Sequence, residues 1–200
     1  LTYDETFTLS VSGINEAPTS VSLSANSVAE NSAAGTVLGN LTAVDPEGDT
    51  TSLSLVGGTG ASNFDIDNNQ LVVKTGANIN FENDSAPTVI IRATDNSGLT
   101  YDQTLTLAVS DVNEAPTAAN KTLTINEDNT HTFSASDFGF ADVDAGDSLS
   151  QLTVKSLPAA GTLTLSGVGV SVNQTIAAGD IANLAKSSGR AFRATFSNGI

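Results

Sequence analysis

The side chains of this chain that could do chemistry are oxygen donors, and they recur in short groups. Asp111, Asn113 and Glu114 stand together in DVNEAP, Asn80 and Glu82 are two apart in NINFEND, Asp142, Asp144 and Asp147 share ADVDAGD, and Glu30 lies in SVAEN. In an extended segment alternate side chains share a side, so Asn80 and Glu82 point one way, and Asp111 and Asn113 point together while Glu114 points to the other side. Carboxylates ~5 Å apart repel by about 1 kcal/mol per pair in water and by several at an effective dielectric near 20. Carboxylate, amide and carbonyl oxygens without His or Cys are the coordination preference of Ca2+, which takes about 6 to 8 such ligands; Mg2+ holds to strict octahedra and keeps its waters. The plain alternative is that Asp, Asn and Gly collect in turns because turns favour them. The acids sit at strand ends and junctions rather than evenly over the chain, which favours the cation.

The totals agree. Lys plus Arg number 7 against 22 Asp plus Glu, a net charge of −15 over 200 residues, which excludes nucleic acid or an anionic membrane surface as partner, since both need a basic face. There is no Cys and one His, so disulfides, thiolate metal sites and thiol nucleophiles are absent. No run approaches the ~18 apolar residues of a membrane-spanning helix, and no leader is visible, so direct membrane insertion is not expected. Met is missing even at position 1; the chain reads as an excerpt of a longer secreted polypeptide, extracellular or at a cell surface.

The elements that must position these donors come in repeats. Residues 3–19, YDETFTLSVSGINEAPT, and residues 101–117, YDQTLTLAVSDVNEAPT, are identical at 12 of 17 positions at an offset of 98. That period fits a bead-like array of whole domains: the last strand of a preceding domain over 1–14, a complete domain over 15–113, and a second over 114–200. SVAENSA at 27–33 corresponds to TINEDNT at 124–130, placing Glu30 opposite Glu127, and AVDPEGD at 43–49 corresponds to ADVDAGD at 141–147. Within a unit apolar residues alternate: Tyr101, Leu105, Leu107 and Val109 take one face, as do Tyr3, Phe7, Leu9 and Val11 in the first copy. Further strands are expected at Val21–Leu23, Thr36–Ala43, Leu53–Leu55, Phe64–Ile66, Leu71–Lys74 and Val89–Thr94. About seven short strands with regular turn signals predict an all-β chain of tandem Greek-key, immunoglobulin-like sandwiches. Ala177–Lys186, with Asp180 as a cap, is the one stretch that could form a helical turn.

The order AEN, AVDPEGD, NFE, RATDNSG and DVNEAP resembles the calcium-binding pattern of cadherin repeats, in the form found in tandem bacterial surface proteins. The resemblance covers the complete domain and both linkers. It implies that Glu30 is the basal glutamate, that Asn80 and Glu82 stand for the family's Asp-x-Glu, and that Asp111, Asn113 and Glu114 form the linker motif, repeated upstream as Asn15 and Glu16. It implies that Asp45, Glu47 and Asp95 are the ligands a domain offers to the linker above it, as Asp142 and Asp144 are in the next unit. Asn80 and Glu47 each replace an Asp, and Gly13 stands where the second linker has Asp111, so the first junction should bind more weakly. The last unit is similar to a more divergent cadherin-like family of giant bacterial adhesins; AFRATFSNGI at 191–200 aligns with VIIRATDNSG at 89–98, putting Phe196 at the place of Asp95 and leaving that unit without its final strand.

Catalysis has little support. His131 lies in EDNTHTFSA, on a strand early in the second unit, with no Gly-x-Ser-x-Gly elbow in the chain, and GGTG at 57–60 lacks the Lys of a phosphate loop and reads as a turn. The resemblance implies a calcium-dependent adhesion or spacer module whose partner is another surface protein or the protein itself. A carbohydrate-binding module for polysaccharide is the alternative; it would need a platform of exposed aromatics, and Phe7, Phe64, Phe81 and Phe133 mostly fall in strand-like or core-like positions.

Overall fold

The computed structural model describes residues 1–126, 129–187 and 196–197. The chain divides into two compact units, Leu1–Val112 and Asn113–Ile200.

The first unit is a sandwich of nine strands: β1 (Ser20–Leu23), β2 (Ser27–Ala29), β3 (Val37–Val44), β4 (Ser52–Gly57), β5 (Phe64–Asp67), β6 (Gln70–Val73), β7 (Thr88–Thr94), β8 (Thr100–Thr106) and β9 (Ala108–Ser110). One antiparallel sheet has the order β1-β3-β6-β5, the other β4-β7-β8, and β2 pairs with β9 in parallel. The alternation in β7 puts Val89, Ile91 and Ala93 at zero exposure, and they pack with Phe64 and Leu71 from the facing sheet. Burying each such side chain contributes about 1.5–3 kcal/mol. The β5–β6 hairpin closes through Asn68 and Asn69, both at positive φ (48° and 57°), as the two-residue turn that matches strand twist requires. GGTG does form a turn, packed on the start of β7. Gly58 has φ of +111°, a Cβ there would lie 2.2 Å from the Thr88 carbonyl, and the Gly60 N–H donates to that same oxygen at 2.9 Å.

Two details of the sequence reading change. The run from Tyr101 to Ser110 is two strands, because at Leu107 the chain leaves β7: Leu107 N–H donates to the Pro87 carbonyl, and Ala108 N–H to Asn26. The continuation as β9 creates β2, which alternation alone does not signal. Residues 1–14, expected as a strand, form none. Tyr3, Phe7, Leu9 and Val11 are 84–88% exposed. A strand needs a neighbour for its ladder, and the first copy has none here.

The second unit holds β10 (Thr117–Ala118), β11 (Thr130–Thr132), β12 (Phe140–Ala141), β13 (Gln151–Val154), β14 (Leu163–Leu165), β15 (Val168–Gly169), β16 (Thr175–Ala177), β17 (Leu184–Ser187) and β18 (Phe196–Ser197). Its sheets run β10-β12, β11-β17-β14-β15 and β16-β13-β18, over a core of Phe133, Phe138, Leu152, Val154, Leu163, Ile176, Ile181 and Leu184. Short 3-10 stretches cover Ala135–Phe138 and Ala178–Asn183. The second lies within the expected helical turn, but Ala177 takes the N-cap position, Asp180 sits inside the first turn, and Leu184–Ser187 is strand. His131 is on β11, and its Nε2 lies 3.3 Å from Asp137 Oδ2. The Ser134 N–H and then His131 hold the Asp137 carboxyl below its ordinary pKa. The pairing of Glu30 with Glu127, and most of AFRATFSNGI, lie outside the described residues. No helix among the described residues is long and apolar enough to cross a membrane.

Candidate metal centre

Three groups of oxygen donors emerge, two in the first unit and one in the second. The first gathers around the turn after β3. Asp45 is 9% exposed. Its Oδ1 accepts the Glu47 N–H (3.1 Å) and the Asp49 N–H (3.3 Å), so the turn holds the carboxylate in place. Its Oδ2 is buried and has no hydrogen-bond partner among the described residues. Asp95, 7% exposed, caps the turn after β7: its Oδ1 accepts the Ser97 and Leu99 N–H groups, both at 2.8 Å. Asn15, 80 residues away in sequence, donates its side-chain amide to Asp95 Oδ2 at 2.7 Å. That bond, then the backbone N–H groups, hold the Asp95 carboxyl below its ordinary pKa against the cost of burial. The Glu16 N–H donates to Glu47 Oε2 at 3.2 Å. All five first-junction residues expected from sequence, Asn15, Glu16, Asp45, Glu47 and Asp95, are therefore joined in one hydrogen-bonded group.

The second group lies beyond the start of β7, and a seven-residue strand, about 23 Å long, separates it from Asp95. Glu30 is 2% exposed. Its Oε2 accepts the Phe81 N–H (3.0 Å), its Oε1 the Val112 N–H (2.8 Å), and its own N–H donates to the Ser110 carbonyl. Glu30 thus holds both the 80–83 turn and the end of β9. Asn80 Oδ1 accepts the Asn83 N–H at 2.8 Å, and its amide donates to Glu82 Oε2 at 3.2 Å. Carboxylate oxygens of Glu30, Glu82 and Asp111 come within 4.8 Å of one another, so each pair repels by roughly 3–4 kcal/mol at an effective dielectric of 20. Among the described residues neither Glu30 nor Glu82 is in an ion pair with a cationic side chain.

In the second unit carboxylate oxygens of Asp142, Asp144 and Asp147 lie within 4.8 Å of one another. Asp142 Oδ1 accepts the Asp144 N–H (3.1 Å), Asp144 Oδ2 accepts the Glu114 N–H (2.8 Å), and the Asn113 amide donates to the Glu114 carbonyl (2.9 Å). These bonds pair Asp142 with Asp45 and Asp144 with Glu47. The end-to-end alignment of AVDPEGD with ADVDAGD is therefore corrected by one residue: the second turn carries an extra residue before its glycine, and a shorter Asp does the work of Glu47. Asp147 is the donor the motif comparison undervalued; its spacing after Asp144, across Gly146 at φ +104°, was the available signal.

The donor sets fit Ca2+ by their chemistry: they are all oxygen, they carry a surplus of negative charge, and at Asp45 they include a buried carboxylate oxygen that no protein group satisfies. Among the described residues of the folded units, no exposed aromatic platform of the kind a carbohydrate site would need is formed. Phe64 and Phe133 are buried, and Phe81 and Tyr101 pack half-buried against the first core.

No curated protein sequence matches the chain. Among solved structures it is similar to human protocadherin-24 EC1-2, at 15% identity and a TM-score of 0.53 over 89% of this chain and 80% of that one. It is also similar to protocadherin gamma B2 extracellular cadherin domains 3–6, at 15% identity and a TM-score of 0.50 over 84% and 39%. At such identities the likeness is one of fold. The profile of the cadherin domain matches residues 25–126, just over half of the chain, from the turn after β1 through Glu30, Asn80, Glu82 and the DVNEAP linker. The chain belongs to the cadherin domain family.

Proposed function

We propose that this chain is a calcium-clamped adhesion or spacer segment of a surface array of cadherin repeats, of the kind that bacterial surface proteins carry in tandem. Cadherin domains are in general calcium-dependent adhesion or extracellular repeat modules. Calcium binds at the linkers: Glu30, Asn80, Glu82 and Asp111 give one share of the ligands and Asn113, Glu114, Asp142 and Asp144 the other. At the upstream junction, Asn15, Glu16, Asp45, Glu47 and Asp95 give the share of the domain below. In this reading residues 1–14 are the last strand of a preceding domain, and the repeats proper span 15–113 and 114–200. With metal the array is stiff; without it the array is jointed. The adhesive partner is a second surface protein or another copy of the array.

The observation that carries this reading is the convergence of Glu30, Glu82 and Asp111 within 4.8 Å. A bound cation would relieve that repulsion most directly. Extracellular calcium modules have Kd values of ~0.1–1 mM, and calcium at about 100 times Kd adds ~2.7 kcal/mol per independent site. The test is a calcium titration by calorimetry, paired with small-angle scattering with and without chelator. Heat in the micromolar to millimolar range, with a longer particle in calcium, is the expected result. No heat and an unchanged particle would reduce the carboxylates to turn formers.

A further inference from the structure

We infer that the first unit carries a pocket for a basic side chain, arginine above all, presented by a partner polypeptide. The pocket, of about 270 Å³, opens between residues 59–63 and residues 78–87. Sites for drug-sized ligands run to ~300–1,000 Å³, so this one suits a single side chain. Its floor is apolar, with Phe64, Ile79, Pro87 and Val109 all buried. Its rim is polar, with Ser62, Asn78, Asn83 and Asp84 exposed. Arginine has the matching profile, an aliphatic stem below a planar cationic head that only donates hydrogen bonds.

The rim is held by its backbone, and its side chains are left over. Asn63 brackets the main chain of Asn78: its Oδ1 accepts the Asn78 N–H at 3.0 Å and its Nδ2 donates to the Asn78 carbonyl at 3.1 Å. Asn80 Oδ1 accepts the Asn83 N–H at 2.8 Å, and the Asn80 carbonyl accepts the Asp84 N–H at 3.1 Å. Asp84 Oδ1 accepts the Ala86 N–H at 3.2 Å. The Ser62 hydroxyl, the Asn78 and Asn83 amides and Asp84 Oδ2 have no partner among the described residues. Acceptors for several guanidinium donors thus stand on a fixed frame, which keeps the ordering cost of binding low. Charge selects the cation. Among the described residues Asp84 is the one charged group in the lining, and the surplus of 22 acids over 7 bases draws cations toward the chain. A bare Ca2+ is a poor occupant, since one carboxylate over an apolar floor leaves most of its 6 to 8 positions unfilled.

This names a partner chemistry for the adhesion proposed above and rests on that reading only for the partner's being a surface polypeptide; the pocket is built by protein groups without calcium. The test is an NMR titration of the whole chain in chelator, with N-acetyl-arginine amide as the probe. Signals of Ser62, Asn78 and Asn83 should shift together and saturate in the millimolar range, while the Asp142–Asp147 turn serves as a reference for an ordinary acidic surface. N-acetyl-citrulline amide, the neutral isostere, should bind about tenfold more weakly. Asp84→Asn, which keeps an oxygen for the Ala86 N–H and loses the charge, should cost a similar factor, with Val89 and Ile91 reporting that the unit remains folded. Free arginine, whose own carboxylate the acids repel, should bind more weakly than the blocked residue. Equal binding of the citrulline probe, tighter binding of free arginine, full binding to Asp84→Asn, or shifts no larger at the pocket than at Asp142–Asp147 each overturns the proposal. The expected titration alongside a calorimetric null with calcium would sink the calcium reading and leave the pocket standing.

Discussion

Residues 3–19 and 101–117 differ at five positions of seventeen, yet the second copy is two strands of a core and the first is bare chain. Leu107 and Val109 are 1% and 5% exposed, and their counterparts Leu9 and Val11 are 88% and 86% exposed. Composition cannot explain the difference, since the apolar face is the same. The second copy finds the ladder of β7 and, past Leu107, that of β2. Strand is thus a property of a sequence with its partner, and propensity in strands measures fit to neighbours. From the asparagine onward the two copies converge again. The Glu16 N–H lies on Glu47 and the Glu114 N–H on Asp144, so the linker motif docks on the turn below it in both places.

The largest expected effect comes from breaking that contrast in the core. Leu107→Ala removes a buried side chain and should destabilise the first unit by about 2–5 kcal/mol, whereas Leu9→Ala, at the equivalent place in the first copy, should leave it unchanged. Urea unfolding of the two variants decides it. A comparable loss from Leu9→Ala would mean that the first copy is packed.

That contrast also marks how far the sequence could be read. Alternation located β1 and β3 through β8 of the first unit, because one buried face per strand writes a period of two into the residues. It could not show the break at Leu107, since the apolar parity runs on unchanged while the hydrogen-bond partner switches from β7 to β2. The groupings around Glu30 and Asp142 were legible because the chemistry of a hard cation restricts the residue types; those around Asp45 came only with the resemblance. The bond from Asn15 to Asp95 was legible only as a shared role: 80 residues separate the two, and nothing local announces which oxygen an amide will choose. The slip between Asp45–Asp49 and Asp142–Asp147 was hidden because both turns end in Gly-Asp, which draws an alignment into the wrong register.

A smaller effect tests the metal side of the comparison. Asp111→Gly makes the second linker read as the first does at Gly13. Removing a carboxylate from the Glu30–Glu82–Asp111 group should weaken calcium by at least the roughly 10–100-fold that losing a supporting partner costs, with the unit still folded in chelator. The combined Glu82→Ala and Glu114→Ala variant should abolish binding at this linker with both sandwiches intact. Unfolding of the first unit in saturating calcium would show instead that these side chains hold the fold. Calorimetry and circular dichroism on the same samples separate the outcomes.

The smallest effect lies on the outer face of β8. Asp102 accepts two hydrogen bonds from Arg92 on β7, at 2.7 and 2.8 Å, and the guanidinium holds its carboxyl below the ordinary pKa. A carboxyl whose folded pKa is depressed contributes stability that is present above its unfolded pKa and disappears as the pH falls through the folded value. Asp102→Asn should therefore lower the unfolding midpoint slightly at neutral pH, the pair being half-exposed and screened by salt. The gap between parent and variant should begin to close as the pH falls below the ordinary Asp value near about 3.9 and vanish only below the depressed folded value. Asp4 occupies the same place in the first copy, but with no β7 beside it, Asp4→Asn should change nothing at any pH. A gap between Asp102→Asn and the parent that stayed constant down to pH ~2 would assign the effect to packing of the side chain rather than to its charge.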